Sequence, residues 1–219
     1  IKLVNDINKS TLAEYVARRK AVLNIFEKSL QYLRTGKYEN ESYLHELIFP
    51  MQATDRDVTY ETHNLWLIDE RLTYSTYLAS DLSLGKAAGK KRPDILSLQD
   101  PQDPVLIADE ENSGREFNAV SIFELKKPMR DDYTDEKNPI NQLLTYVEKL
   151  QEGNAIDSKG RPINIGDHTR IYLYAVCDIT KSLEKFLKKY DFTKMPDGLG
   201  WYRHYNNYNA YIEILPFDQ

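Results

Sequence analysis

Apolar residues at Leu12, Val16, Leu23, Phe26, Leu30 and Leu33 fall on one helical face, with polar residues between them. Thr11-Leu12-Ala13-Glu14 carries the capping-box spacing at its start, so the pattern predicts a long amphipathic helix over 10–34. A second helical piece over 43–48 stops near Pro50, since proline cannot continue a helix. Residues 64–72 are dense in large apolar side chains and read as a helix, with a strand as the alternative. Leu72, Tyr74, Thr76 and Leu78 then alternate with polar neighbours, which predicts a first strand. The stretch 83–91, rich in glycine, alanine and lysine, reads as a mobile loop.

Two more strands follow at 93–98 and 119–126, joined by a polar connection that holds the short apolar run Val105-Leu106-Ile107. Asn138 can cap the next helix and Pro139 suits its first turn. Ile140, Leu143, Leu144, Val147 and Leu150 line one face of that helix. Residues 151–169 are polar and turn-rich. The strand predicted at 170–177 is apolar throughout, as for a central strand buried on both faces. A helix over 181–190 turns Leu183, Phe186 and Leu187 inward and four lysines outward. Residues 200–214 read as a hairpin around an Asn-rich turn. The order of elements predicts an α/β fold, a mixed sheet flanked by helices with an N-terminal helical extension. The domain reading is a connector over 1–55 and a core with a C-terminal hairpin over 56–219.

The chain has 219 residues, 41% hydrophobic and 29% charged, which suits one soluble domain with appendages. No run approaches the roughly 18 apolar residues of a membrane helix, and the N-terminus lacks the apolar region of a signal peptide. A cytoplasmic location with no membrane partner is therefore expected. An opening isoleucine, in place of methionine, fits a piece of a longer protein. The single Cys177 excludes an internal disulfide and sits in an apolar run, as a small core residue would. The four histidines lack zinc-site spacing. A net charge of −5 is awkward for a nucleic-acid partner. The basic residues gather, however, at two places: Lys86, Lys90, Lys91 and Arg92, and then Lys126, Lys127 and Arg130.

Those two clusters flank the chemistry. Pro93-Asp94 opens one predicted strand, and Glu124-Leu125-Lys126 closes the next. Glu124 and Lys126, two apart on a strand, leave the same face. Asp94 and Glu124 are suited to hold Mg²⁺ or Mn²⁺, with the Leu125 carbonyl as a third oxygen donor. Such an ion would polarise a phosphodiester and lower the pKa of a bound water. Lys126 would orient that water or stabilise the developing charge.

The Pro93-Asp94 and Glu124-Leu125-Lys126 pair resembles the motif of the PD-(D/E)xK nuclease superfamily, whose fold is restriction-endonuclease-like. Gln142 and Tyr146 in the following helix look like the Gln-x-x-x-Tyr element of the subgroup that includes recombination exonucleases. The resemblance covers about residues 60 to 180 and implies a Mg²⁺-dependent deoxyribonuclease. It also implies a further acidic metal ligand from a helix before the first strand, for which Glu70 is favoured and Glu46 is the alternative. More loosely, Leu44-His45-Glu46-Leu47-Ile48-Phe49-Pro50, His63-Asn64-Leu65-Trp66 and the aromatic tail look like segments that follow ATPase modules of the histidine-kinase/Hsp90 type in bacterial proteins. That implies the effector part of a larger defence protein with an N-terminal ATPase partner. Two rivals stay open: a catalytically silent nucleic-acid-binding module of the same fold, and an oligomerisation domain in which the first helix packs on a sister copy. Tyr202, Tyr205, Tyr208 and Tyr211 near Arg203 read as half-buried sheet residues, with base stacking as the alternative.

Overall fold

A computed structural model describes residues 2–54, 56–59, 62–70, 72, 77–81, 92–99, 117–153, 155–156 and 162–217. The expected loop at 83–91 and the apolar run at 105–107 lie outside these residues. The chain divides into two compact units, Ile1–Glu39 and Asn40–Gln219.

The first unit is built on α1 (Lys2–Ser29), ended where the Ser29 hydroxyl donates back to the Phe26 carbonyl at 2.6 Å. A tight turn follows, with Gly36 at a φ of 78° and its carbonyl accepting from the Tyr32 hydroxyl at 2.7 Å. Leu12, Val16 and Leu23 of the predicted stripe are exposed.

The second unit contains α2 (Glu41–Ile48), a 3₁₀ turn at Leu65–Leu67, β1 (Tyr77–Ser80), β2 (Ile95–Gln99), β3 (Ala119–Leu125), α3 (Pro139–Gln151), β4 (Arg170–Val176), α4 (Lys181–Lys189), β5 (Thr193–Lys194), β6 (Trp201–Tyr205) and β7 (Ala210–Leu215). The seven strands form one mixed sheet in the order β1-β2-β3-β4-β7-β6-β5. β1, β2 and β3 run antiparallel as a meander. β4 lies parallel to β3, and α3 provides the crossover that a parallel pair requires. β7 is parallel to β4 and closes a hairpin with β6, turned at Asn209 in the left-handed region that asparagine tolerates. The fold is thus α/β, a mixed sheet flanked by helices with an N-terminal helix.

Strand alternation sorts the core into two layers. Leu96, Val120, Ile122, Ile171, Leu173 and Ile212 face α3 and α4, which contribute Ile140, Leu143, Val147, Leu183 and Leu187. Leu78, Ile95, Phe123, Leu125 and Val176 face the other way, toward Ile48, Phe49 and Leu65. β4 is central but unequal: Ile171, Leu173 and Ala175 are buried, whereas Tyr172 and Tyr174 are half-buried. Tyr174 stacks on Phe123 at 4.7 Å.

The compact unit that holds the sheet begins at Asn40 and includes α2. Its Leu44, Ile48 and the following Phe49 are buried completely or nearly so. Among the described residues of the segment expected as a helix or strand at 64–72, the structure places a 3₁₀ turn at Leu65–Leu67. Asn64 anchors the turn: its main-chain N–H donates to the Ile48 carbonyl at 2.7 Å and its side-chain amide to the Leu47 carbonyl at 2.8 Å. Those bonds tie the segment to the end of α2 and satisfy carbonyls of its last turn that lack an intrahelical partner.

Candidate active site

The parallel pairing of β3 with β4 brings two strand ends together, and the chain leaving β3 carries the chemistry. Phe123 and Leu125 face the α2 side, so Glu124 between them faces α3. Lys126 follows, its main-chain N–H held by the Val176 carbonyl at 3.0 Å. Asp94 immediately precedes β2, and its Oδ2 accepts from the Leu125 N–H at 2.6 Å. Asp94, Glu124 and Lys126 therefore meet at one end of the sheet.

Lys126 is 2% exposed, and its Nζ lies 2.6 Å from Glu124 Oε1 and 3.7 Å from Glu41 Oε1. Glu41 also accepts from the Lys127 main-chain N–H at 3.2 Å and lies 3.8 Å from the Arg130 guanidinium. Burial pulls the Lys126 pKa down, but Glu124, Glu41 and Asp94 together outweigh it and hold the amine above its ordinary value. Burial pushes the Asp94 carboxyl well above the carboxylate range, and the nearby Glu124 charge adds to the rise. Glu124 is also raised, by burial first, against the pull of Lys126.

Tyr146 projects from α3 over this group. Its hydroxyl donates to the Arg92 carbonyl at 2.6 Å, which ties α3 to the entry of β2. That single proton is then committed, and the phenol is buried beside Glu124, so its pKa is raised. Glu124 Oε2 is buried with no hydrogen-bond partner among the described residues. Gln142 lies one turn earlier on α3, half-buried, its main-chain N–H closing the first turn on the Asn138 carbonyl at 3.2 Å.

Glu70 is exposed, and Glu46 is exposed on α2. The carboxylate that joins Asp94, Glu124 and Lys126 is Glu41, in the first turn of α2. Its neighbour one turn on, the buried His45, also reaches the group, with Nδ1 3.9 Å from Asp94 Oδ1. Helical phase was the available signal: with Leu44 and Ile48 marking the inner face, Glu41 and His45 share that side and Glu46 does not.

Asp94 and Glu124 are the oxygen donors at this sheet end that could hold a divalent cation. Two carboxylates of raised pKa and an orphaned buried oxygen on Glu124 favour a hard cation over water. No three His, Cys, Asp or Glu side chains converge closely enough to hold an ion alone among the described residues. Mg²⁺ is commonly held by one or two carboxylates with waters and phosphate oxygens for the rest.

Elsewhere, Lys127 and Arg130 are half-buried beside Glu41, and Arg92 is exposed with its guanidinium 3.8 Å from Asp81. Lys86, Lys90 and Lys91 lie outside the described residues. In the hairpin Tyr202, Tyr205, Tyr208 and Tyr211 are half-buried; Tyr202 stacks on Tyr211 at 6.0 Å, and Arg203 lies over Tyr205 at 4.8 Å. Cys177 is fully buried and its thiol is pushed up to about 12 by burial. No described helix is long and apolar enough to cross a membrane. Compared with protein-family models, with curated proteins and with solved structures, the chain matches none of them.

Proposed function

We propose that this chain is a Mg²⁺- or Mn²⁺-dependent nuclease of the PD-(D/E)xK kind that hydrolyses phosphodiester bonds of DNA. The observation that carries the reading is the meeting of Asp94, Glu124 and Lys126 at one sheet end, with Lys126 set among three carboxylates. Asp94, Glu124 and the Leu125 carbonyl would hold the ion, which supplies Lewis-acid polarisation and an activated water when bound. Glu41 takes the place of Glu70 as the additional acidic residue, because it is the carboxylate in contact with Lys126.

Each side chain then has a task. The raised pKa of Lys126 keeps it protonated at neutral pH, so it serves as a fixed donor to the phosphoryl oxygens and not as a general base. Water would add to phosphorus and give up a proton to solvent, the bond to one ester oxygen would break with that oxygen protonated from solvent, and Lys126 would offset the negative charge growing on the phosphoryl oxygens. Tyr146 positions the entry to Asp94 through the Arg92 carbonyl. Gln142, on the same helix face, would assist at the cleft. Lys127 and Arg130, close to Glu41, would meet the DNA backbone. In the parent protein the domain would act as the effector joined to an N-terminal ATPase module, in bacterial defence.

Plasmid nicking with Mn²⁺ tests this. Lys126→Met should lower nicking by about 10²-fold or more, the scale of removing one transition-state charge donor, while Mn²⁺ binding persists. Turnover at the original rate in that variant would count against the assignment. A silent binding module is the second reading, favoured by one observation: Lys126 is almost wholly covered and must be uncovered to meet a phosphate. DNA binding without nicking in either metal would select it. Exposed Leu12, Val16 and Leu23 on α1 favour self-association as a companion role, which sedimentation would read.

A further inference from the structure

Asp94 has a polar neighbour at each carboxylate oxygen. Its Oδ2 takes the Leu125 N–H at 2.6 Å, and its Oδ1 faces the His45 ring, with Nδ1 at 3.9 Å. That second distance is longer than a hydrogen bond and is a charge–dipole approach of the ring to the carboxylate. The other ring nitrogen, Nε2, lies 2.7 Å from the Ser80 hydroxyl. His45 is 2% exposed and Ser80 is fully buried. Ser80 ends β1, and the next residue, Asp81, donates its N–H to the Asp94 carbonyl at 3.1 Å. A polar chain thus runs Ser80 to His45 to Asp94, from β1 through α2 to the entry of β2. Burying a histidine and a serine together is costly unless each satisfies the other. An apolar pair would fill the same space, so the arrangement fixes direction and not volume alone.

We infer that His45 is a positioning residue for Asp94, braced by Ser80, with Nδ1–H directed at Asp94 and Nε2 accepting from the Ser80 hydroxyl. The inference rests on the proposed metal-dependent nuclease. It assigns α2 a second contribution beside Glu41: Glu41 meets the lysine, and His45 orients the carboxylate that would meet the metal. Partners of this kind, one step behind a ligand, usually shape metal affinity by 10- to 100-fold when removed.

The two amide replacements separate the ring nitrogens. His45→Asn keeps a donor near the Nδ1 position, whereas His45→Gln places its amide near Nε2 and withdraws the donor from Asp94. Mn²⁺ binding to the full chain without DNA, read by electron paramagnetic resonance, should weaken about tenfold or more in His45→Gln and stay within about threefold in His45→Asn. Ser80→Ala should weaken it by an intermediate factor. Nitrogen-15 NMR of the metal-free protein should show the ring protonated on Nδ1. Equal Mn²⁺ binding in all forms, equal loss in both amide variants, or a ring protonated on Nε2 alone would overturn the inference. Should His45→Gln fail to fold by circular dichroism, Ser80→Ala and the tautomer decide it. A parent protein that neither binds Mn²⁺ nor nicks plasmid would sink the nuclease reading itself and this inference with it. Metal-dependent nicking that is insensitive to His45→Gln would sink the inference alone.

Discussion

Asp94 and Glu124 are acids kept partly from water and close to each other, and this governs how the folded state responds to pH. Their folded-state pKa values are raised above the ordinary 3.8 and 4.5. The native state therefore holds protons more tightly than the unfolded chain. The stability this contributes is complete below about pH 4 and is lost as pH rises through the raised values. In EDTA, Asp94→Asn should therefore be more stable than the parent at pH 8, with the difference closing toward pH 4, as measured by urea denaturation. Added Mn²⁺ should reverse the order at pH 8, because only the parent gains binding energy on folding. A variant less stable than the parent at pH 8 in EDTA would contradict the placement of these carboxyls. At this scale Asp94, Glu124 and Lys126 were legible, since alternation along a strand specifies which side chains share a face. Glu41 and His45 were not, because they lie about fifty residues upstream of Asp94 and only the docking of α2 brings them near.

The helices and strands divide by how local their cause is. α3 begins where its composition says it should: Asn138 Oδ1 accepts the Asn141 N–H at 2.9 Å, with Pro139 in the first turn. The same buried side chain donates to the Thr134 and Asp135 carbonyls at 3.0 and 3.1 Å. Asn138→Ala should therefore cost about 2 kcal/mol, the upper end for a lost cap, read as a lower urea midpoint with an unchanged slope. A shift near zero would mean the cap is dispensable. α4 likewise follows its pattern, with Leu183, Phe186 and Leu187 buried as expected. The turn at Leu65–Leu67 does not, since contacts to α2 outweigh its apolar content. β5, two residues long, exists only through its pairing with β6 and leaves no periodic trace.

Across the molecule, the decisive feature is which unit α2 joins. Both buried clusters lie wholly within residues 40–219. Removing residues 1–39 should leave a cooperative unfolding transition in urea. Removing 1–55 should abolish it, because Leu44, Ile48 and Phe49 leave with Glu41 and His45, and each large apolar deletion costs about 2–5 kcal/mol. A folded, cooperative 56–219 fragment would refute the assignment of α2 to the sheet unit. The site depends on this as much as the core does, since the third carboxylate and the histidine behind Asp94 come from that one helix.

Local patterning was enough to establish an α/β order of elements, the capped helix before β4, and a Pro-Asp and Glu-x-Lys pair on adjacent strands. These are readable because side-chain direction repeats every two residues in a strand and every 3.6 in a helix. The companions of that pair, the boundary between the units and the fate of the 64–72 segment were settled only by packing. Long-range docking selects among faces and partners that neighbouring residues leave equivalent, and burial is the term that breaks the tie.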